Sequence, residues 1–266
     1  MRSPATGHAA RSGAALLLAT VSLPADARIL KTRGGVGQAD LLIGAGVEVE
    51  ATPDGNEWGL PLLAEYAPTR YFKIGLEPTF FVIDEPGQTP IAGFGEIEET
   101  ITYEFVAERR YRPSISLEQV AKLPTAAPAD LGSGQPDVSF GLVVDKEYPR
   151  FDAELNVVYT FVGKPPDIDL HDTLELALAS EVMLNWLLSV EVEVVASTGA
   201  LSGQAGGGGV GGFRRDAEEG GSEAEATLGF AEELTPHFKL EEGFTVQVSG
   251  NWQLLAAWEY EFGHGQ

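Results

Sequence analysis

The chain contains no cysteine among its 266 residues. This absence excludes disulfide bonds, thiol nucleophiles and cysteine-bound metals. Long apolar runs are also missing beyond the N-terminus, whereas a helix needs roughly 20 predominantly apolar residues to cross a bilayer. We therefore expect no membrane-spanning helix.

Positive charge and histidine are both scarce. Lysine and arginine together number 17 against 40 aspartates and glutamates, which gives a net charge of −23. A nucleic-acid-binding protein needs a positive surface, so we expect no nucleic-acid partner. There are only 4 histidines, and no spacing singles out a Ser–His pair for nucleophilic catalysis. We expect neither an enzyme nor a bound cofactor or metal.

The N-terminus has the features of an export leader. Arg2 and Arg11 lie before a short apolar core, Ala14–Leu23. Ala25–Ala27 then forms a small-x-small cleavage site. The sequence predicts a cleaved signal peptide over residues 1–27, followed by an N-terminal segment, 28–40. The alternative is an ordinary buried N-terminal helix.

The stretch from Gly95 to Phe105 alternates between two kinds of side chain. One face carries Ile97, Ile101, Tyr103 and Phe105, with Glu99 as an exception, and the other carries Glu96, Glu98, Thr100, Thr102 and Glu104. Alternation of period two predicts an amphipathic β-strand. Its length of roughly 10 residues suits a tilted strand that crosses a bilayer. Two aromatic residues near one end are typical of a membrane–water interface.

The same alternation recurs from Leu41 to Phe262. The alternating segments cover approximately 41–51, 58–66, 72–82, 97–105, 115–123, 138–144, 151–161, 174–182, 186–196, 224–230, 238–248 and 252–262. An even number of strands is usual for bacterial single-chain barrels. We predict an all-β fold: a closed antiparallel up-and-down transmembrane β-barrel of about 12 strands over residues 41–262, with a C-terminal tail, 263–266.

The connections between these strands alternate in length. Those after strands one, three, five, seven and nine are predicted to be long, and the longest is the glycine-rich loop Ser197–Gly221. Those after the even-numbered strands are short, whereas the connection after strand eleven departs from this trend. Short periplasmic turns opposite longer external loops are typical of outer-membrane barrels.

Five features in a fixed order carry a resemblance to a known family. They are Gly93–Ile97, Leu123–Thr125, Leu131–Asp137, Asn156 and Tyr159. In this order they resemble the bacterial outer-membrane family labelled "MetA-pathway of phenol degradation", a family of outer-membrane transporters. The resemblance implies an outer-membrane barrel and a channel for organic solutes, which the label itself does not identify.

The last strand resembles the C-terminal assembly signal of outer-membrane proteins. Trp258, Tyr260 and Phe262 alternate along it, before a four-residue tail that begins at Gly263. The partners we expect are therefore outer-membrane lipids, the barrel assembly machinery and a small-molecule solute. The expected location is the outer membrane of a Gram-negative bacterium.

The polar faces of the predicted strands are mainly acidic. The candidate lumen-lining residues are Glu48, Glu65, Glu96, Glu98, Glu104, Glu118, Glu154, Glu191, Glu193, Glu259, Lys73 and Lys122, with Glu261 and Lys239 on the same faces. Carboxylates along a lumen favour cations and polar neutral solutes. The alternative is that the carboxylates pair with the lysines inside a closed interior, since unpaired buried charges are costly.

Two further motifs have weaker functional interpretations. Asp167, Asp169 and Asp172 surround His171, and closely spaced carboxylates suit calcium. Because the EF-hand spacing is missing, a solvated external loop is the preferred interpretation. The run Gly206–Gly212 lacks the Gly-Lys-Ser/Thr ending of a phosphate-binding loop, so we interpret it as part of an external loop.

Three functions remain open at this level. The first is an outer-membrane channel for small solutes, organic or aromatic, through an acidic lumen. The second is a structural or adhesive outer-membrane barrel with a plugged interior. The third is a soluble secreted β-barrel or sandwich.

Overall fold

The computed structural model describes residues 40–52, 55–165, 170–200 and 223–263. The predicted signal peptide, segment 28–39 and the tail after Gly263 lie outside the described residues, as do positions 201–221 of the glycine-rich loop. The strands are β1 (Leu41–Thr52), β2 (Gly55–Thr69), β3 (Phe72–Glu77), β4 (Thr79–Asp84), β5 (Ile91–Phe94), β6 (Ile97–Val106), β7 (Ser114–Leu123), β8 (Asp137–Tyr148), β9 (Phe151–Phe161), β10 (Thr173–Met183), β11 (Leu188–Ser197), β12 (Glu223–Thr235), β13 (Phe238–Gln247) and β14 (Trp252–Phe262).

The sheet closes on itself through its first and last strands. β1 pairs antiparallel with β14 from Leu41↔Phe262 to Ala51↔Trp252, and its other edge pairs with β2. All other neighbours are antiparallel as well, and the closed ring has 12 strand positions. The predicted all-β closed antiparallel barrel is confirmed, and this closure contradicts the β-sandwich alternative.

Two of the 12 barrel positions are each occupied by two consecutive segments. β3 and β4 both pair with β2, in one register from Tyr66↔Ile74 to Asn56↔Asp84, and are separated by Pro78. Proline has no N–H to donate to a ladder, but its carbonyl accepts a hydrogen bond from the Leu62 N–H at 3.0 Å. β5 and β6 are separated at Gly95, whose N–H donates to Thr79 O at 2.9 Å.

Several predicted boundaries were wrong. The stretch between the predicted segments 72–82 and 97–105, interpreted as a loop over Asp84–Phe94, contains β5. The sixth and tenth predicted strands extend to Tyr148 and Thr235. β11 begins at Leu188, not at Trp186. The first connection is also shorter than predicted, since β1 ends at Thr52 and β2 begins at Gly55. The alternation of apolar and polar side chains weakens near the strand ends, where side chains lie beyond the rim of the barrel. Strand boundaries inferred from the sequence therefore differ from those of the structure.

The two ends of the barrel differ. We call the end that holds connections 85–90, 124–136, 162–172 and 198–222 the loop end. The opposite end, with connections 70–71, 107–113, 149–150, 184–187 and 236–237, is the turn end. In the described ranges, the one helical element is a 3-10 turn, Ala129–Leu131. No helix of the described residues is long and apolar enough to cross a membrane.

Apolar side chains form the outer surface of the barrel. On β10, Leu176 and Leu178 are 50% and 58% exposed, whereas Ala177 and Ala179, which alternate with them, are 1% and 3% exposed. The same pattern follows the other strands, with large apolar residues outside and polar residues buried. A globule in water buries its large apolar side chains instead, and contiguous apolar surface of this extent indicates a membrane-facing or partner-facing exterior.

Candidate functional site

The structure places every predicted lumen residue at an inward-facing position. Glu48, Glu65, Glu98, Glu154, Glu191, Glu193, Glu259 and Lys122 are buried, and Glu96, Glu104, Glu118, Glu261 and Lys73 are partly buried. Further interior acids that the candidate set omitted are Glu50, Glu57, Glu77, Asp137, Glu175 and Glu241. The same alternation could have identified these acids, because each lies two residues from another inward position. That these residues line a conducting lumen stays a prediction.

Interior lysines bind some of these carboxylates. Lys73 Nζ lies 3.2 Å from Glu65 Oε1. Lys239 Nζ lies 3.1 Å from Glu191 Oε1 and also pairs with Glu241. Pairing offsets the cost of burying both charges. The lysine–carboxylate pairing considered from the sequence therefore occurs at these positions.

The third interior lysine lies in a group at the loop end. Lys122 Nζ lies 3.3 Å from Glu96 Oε2 and pairs with Asp137. Glu96 Oε1 accepts hydrogen bonds from Ser133 Oγ at 3.1 Å and from the Gly134 N–H at 3.0 Å. Asp137 Oδ1 accepts a hydrogen bond from the Gly163 N–H at 2.7 Å. We call Lys122, Glu96, Asp137 and Ser133 the loop-end cluster.

Connection 124–136 packs against the loop-end cluster. Phe94 and Ala127 exchange backbone hydrogen bonds of 3.1 and 2.8 Å, and Thr125 Oγ1 accepts one from the Ile97 N–H at 2.9 Å. A Cβ on Gly132 would lie 2.7 Å from Glu96 Cγ, so only glycine allows this close approach. The connection is thereby held against the interior side of the loop end.

The segments that carry the family resemblance meet at this place. Gly93–Ile97, Leu123–Thr125 and Leu131–Asp137 all contribute to the loop-end cluster or to its backbone contacts. The remaining two residues lie apart from it. Asn156 is buried on the interior side of β9, and Tyr159 faces outward, where its hydroxyl donates to Asp172 Oδ2 at 3.1 Å.

The group around His171 is only partly described. Asp167 and Asp169 lie outside the described residues. Asp172 Oδ1 accepts a hydrogen bond from the Val162 N–H at 3.3 Å, and the His171 N–H donates to Ala200 O at 2.7 Å. Both contacts fasten the connections that leave β9 and β11. Gly206–Gly212 also lies outside the described residues.

Comparison with known proteins gives relatives by fold only. No family model matches the chain, and no curated protein matches it. Among solved structures, the COG4313 outer membrane channel from Pseudomonas putida F1 superposes with a TM-score of 0.68 and 11% sequence identity. The alignment covers 86% of this chain and 97% of that one.

Two porins are also similar in fold. The KdgM porin has a TM-score of 0.57 and 10% identity, covering 84% of this chain and 99% of its own. The NanC porin has a TM-score of 0.56 and 6% identity, covering 83% of this chain and 98% of its own. At these identities the similarity establishes the barrel fold, which these outer-membrane proteins share over nearly their whole lengths.

Proposed function

We propose that this protein is a channel for small solutes in the outer membrane of a Gram-negative bacterium. The observation that carries the proposal is the inversion of burial, with apolar rows outside a closed barrel and carboxylates inside. The leader-like N-terminus supports export. The motif order supports membership in the phenol-degradation family named above, and with it organic solutes. The barrel fold shared with outer-membrane channels and porins agrees with this function.

Aromatic residues support a membrane-spanning position for the barrel. At the loop end, the rings of Tyr159 and Phe161 are 5.0 Å apart. At the turn end, those of Tyr260 and Phe262 are 4.6 Å apart, and Phe105 is also exposed there. Aromatic girdles at both interfaces are typical of transmembrane barrels. β9, with 11 residues between the two ends, has the length that a tilted strand needs to cross a bilayer.

The interior charges support a preference for cations or neutral polar solutes. Carboxylates are buried on the inward faces of strands all around the ring, and the interior lysines that the structure describes each bind at least one of them. A pore lined by charges of one sign raises the local concentration of ions of the opposite sign. Organic solutes would pass along the same wall, between polar side chains.

Conductance across a planar bilayer tests this proposal. The full-length protein should give discrete openings that favour potassium over chloride in a salt gradient. The double variant Glu193→Gln/Glu259→Gln should lower this preference by about twofold or more, because two interior charges are lost. Glu232→Gln is the matched control, since Glu232 is exposed on the outer side of β12. Openings without ion preference, or equal effects of both variants, would contradict the acidic pathway.

One observation favours the second candidate function, a barrel with a plugged interior. The loop-end cluster holds connection 124–136 against the interior. If the plug is complete, the purified protein gives no openings in a planar bilayer. Its extraction from cells should still require detergent. The soluble alternative predicts release in buffer alone, which the outer apolar rows oppose.

A further inference from the structure

We propose that the turn end holds a divalent-cation site formed by Glu108, Asp145 and Glu147, with calcium as the favoured ion. Glu108 lies in connection 107–113, and the other two residues lie on the interior side of β8 near its end. The proposed site is separate from the loop-end cluster and does not depend on whether the interior conducts.

The geometry of the three carboxylates suits one ion. One oxygen from each lies within 4.8 Å of the others. Calcium binds oxygen at about 2.3–2.6 Å, so two of its ligands lie at most about 5 Å apart. The three oxygens can therefore contact the same ion. Glu147 is exposed at the rim, where water can complete the coordination shell.

A second observation comes from the neighbouring strand. Register places Asp152 opposite Glu147 and Glu154 opposite Asp145. Glu154 is only 6% exposed, and its Oε1 and Asp152 Oδ1 are buried without a hydrogen-bond partner. Asp152 is also a diagonal neighbour of Asp145 on the adjacent strand. Carboxylates clustered on one face repel one another unless a proton or a cation lies between them, and buried charge without a partner is costly.

The cations nearby do not complete the cluster. Lys146 pairs with Glu108 Oε1 and donates to Glu147 O at 2.6 Å, and its ammonium lies 4.8 Å from the Tyr148 ring centroid. The interior lysine Lys73 pairs with Glu65 on β2. Acidic groups therefore outnumber cations around Asp145, and an ion would offset this excess.

The ligand set selects the class of ion. All three side chains offer carboxylate oxygen, without nitrogen or sulfur, which suits a hard cation. Magnesium demands near-octahedral geometry and retains its waters, whereas calcium accepts irregular sites of six to eight oxygens. A rim site built from one connection and one strand end matches calcium better. The ion would fasten connection 107–113 to β8.

Calorimetric titration of the full-length, chelator-treated protein with calcium chloride tests the site. The titration is made in detergent and about 0.5 M sodium chloride, where the Debye length is only a few ångströms and diffuse attraction is screened. We expect saturable binding of one ion per chain. Asp145→Asn should weaken it by about tenfold or more, since a charged ligand is lost.

Glu175→Gln is the control, because Glu175 is an interior acid on β10 near the loop end, far from the proposed site. It should change the dissociation constant less than about twofold, since charges this far apart are screened. If Asp145→Asn fails to fold, Glu147→Gln at the exposed rim replaces it with the same expected loss. Absence of saturable binding by the unmodified protein, or equal weakening by the control and the ligand variants, would overturn the proposal.

Discussion

At the scale of single residues, Lys122 joins two carboxylates of the loop end. It is buried between Glu96 and Asp137, whose other oxygens bind backbone N–H groups of two connections. Removing one member of a buried ion pair leaves its partner uncompensated, which costs about 3–5 kcal/mol. The ammonium of Lys122 therefore fixes the arrangement of the loop end.

Lys122→Met should lower the free energy of unfolding by about 3–5 kcal/mol, because the two acids lose their cation. The measurement is urea unfolding of the protein in lipid, followed by the gel shift between folded and unfolded forms. Lys164→Met, at an exposed lysine of the same end, is the control and should change stability little. Adding Glu96→Gln and Asp137→Asn to Lys122→Met should restore part of the loss. No difference between Lys122→Met and Lys164→Met would refute this role.

The proposed cation site shows what residue patterns alone do not reveal. Glu108 lies in a connection, and Asp145 and Glu147 were not among the predicted lumen residues. They approach one another only because the register of β8 and the path of connection 107–113 place them at one rim. Alternation indicates which face a side chain occupies, but not its neighbours on other strands.

At the scale of strands, the sequence predicted well which strands exist and how they run. It predicted the interruptions within strands poorly. Alternation over Gly95–Phe105 predicted β6, and the two faces of this strand carry the residues that the alternation assigned to them. The division at Pro78 and the additional strand β5 were missed. Both depend on partners in β2 and in connection 124–136, which are distant in sequence. Local periodicity carries no information about these partners.

The seam between β1 and β14 can be tested with a disulfide. The Cβ position of Gly46 lies 3.4 Å from Ala257 Cβ, close to the separation of about 3.5–4.5 Å found in disulfides. Gly46→Cys/Ala257→Cys should therefore cross-link within the chain on mild oxidation. Because the natural chain has 0 cysteines, non-reducing electrophoresis shows the link without background.

The control for the seam shifts one partner along its strand. Gly44 pairs with Glu259, two residues from Ala257. Diagonal neighbours are about 7–8 Å apart, too far for a disulfide. Gly44→Cys/Ala257→Cys should therefore remain reduced. Equal cross-linking of both pairs, or of neither, would contradict the register of the closed barrel.

At the scale of the whole molecule, burial is inverted relative to a water-soluble protein. Large apolar side chains face outward all around the ring, and glutamates face inward. This arrangement is stable when hydrocarbon surrounds the outer surface and every backbone group is paired within a closed sheet. The fold, the proposed location and the proposed function all depend on this inversion.

The most direct test of the inversion is the accessibility of spin labels along β6 in lipid bilayers. Single cysteines at Thr100, Ile101, Thr102 and Tyr103 alternate between the interior and exterior faces. Labels at Ile101 and Tyr103 should collide mainly with oxygen, which concentrates in lipid, and labels at Thr100 and Thr102 mainly with a water-soluble nickel complex. The reverse alternation, or uniform access of the nickel complex to all four positions, would contradict the account.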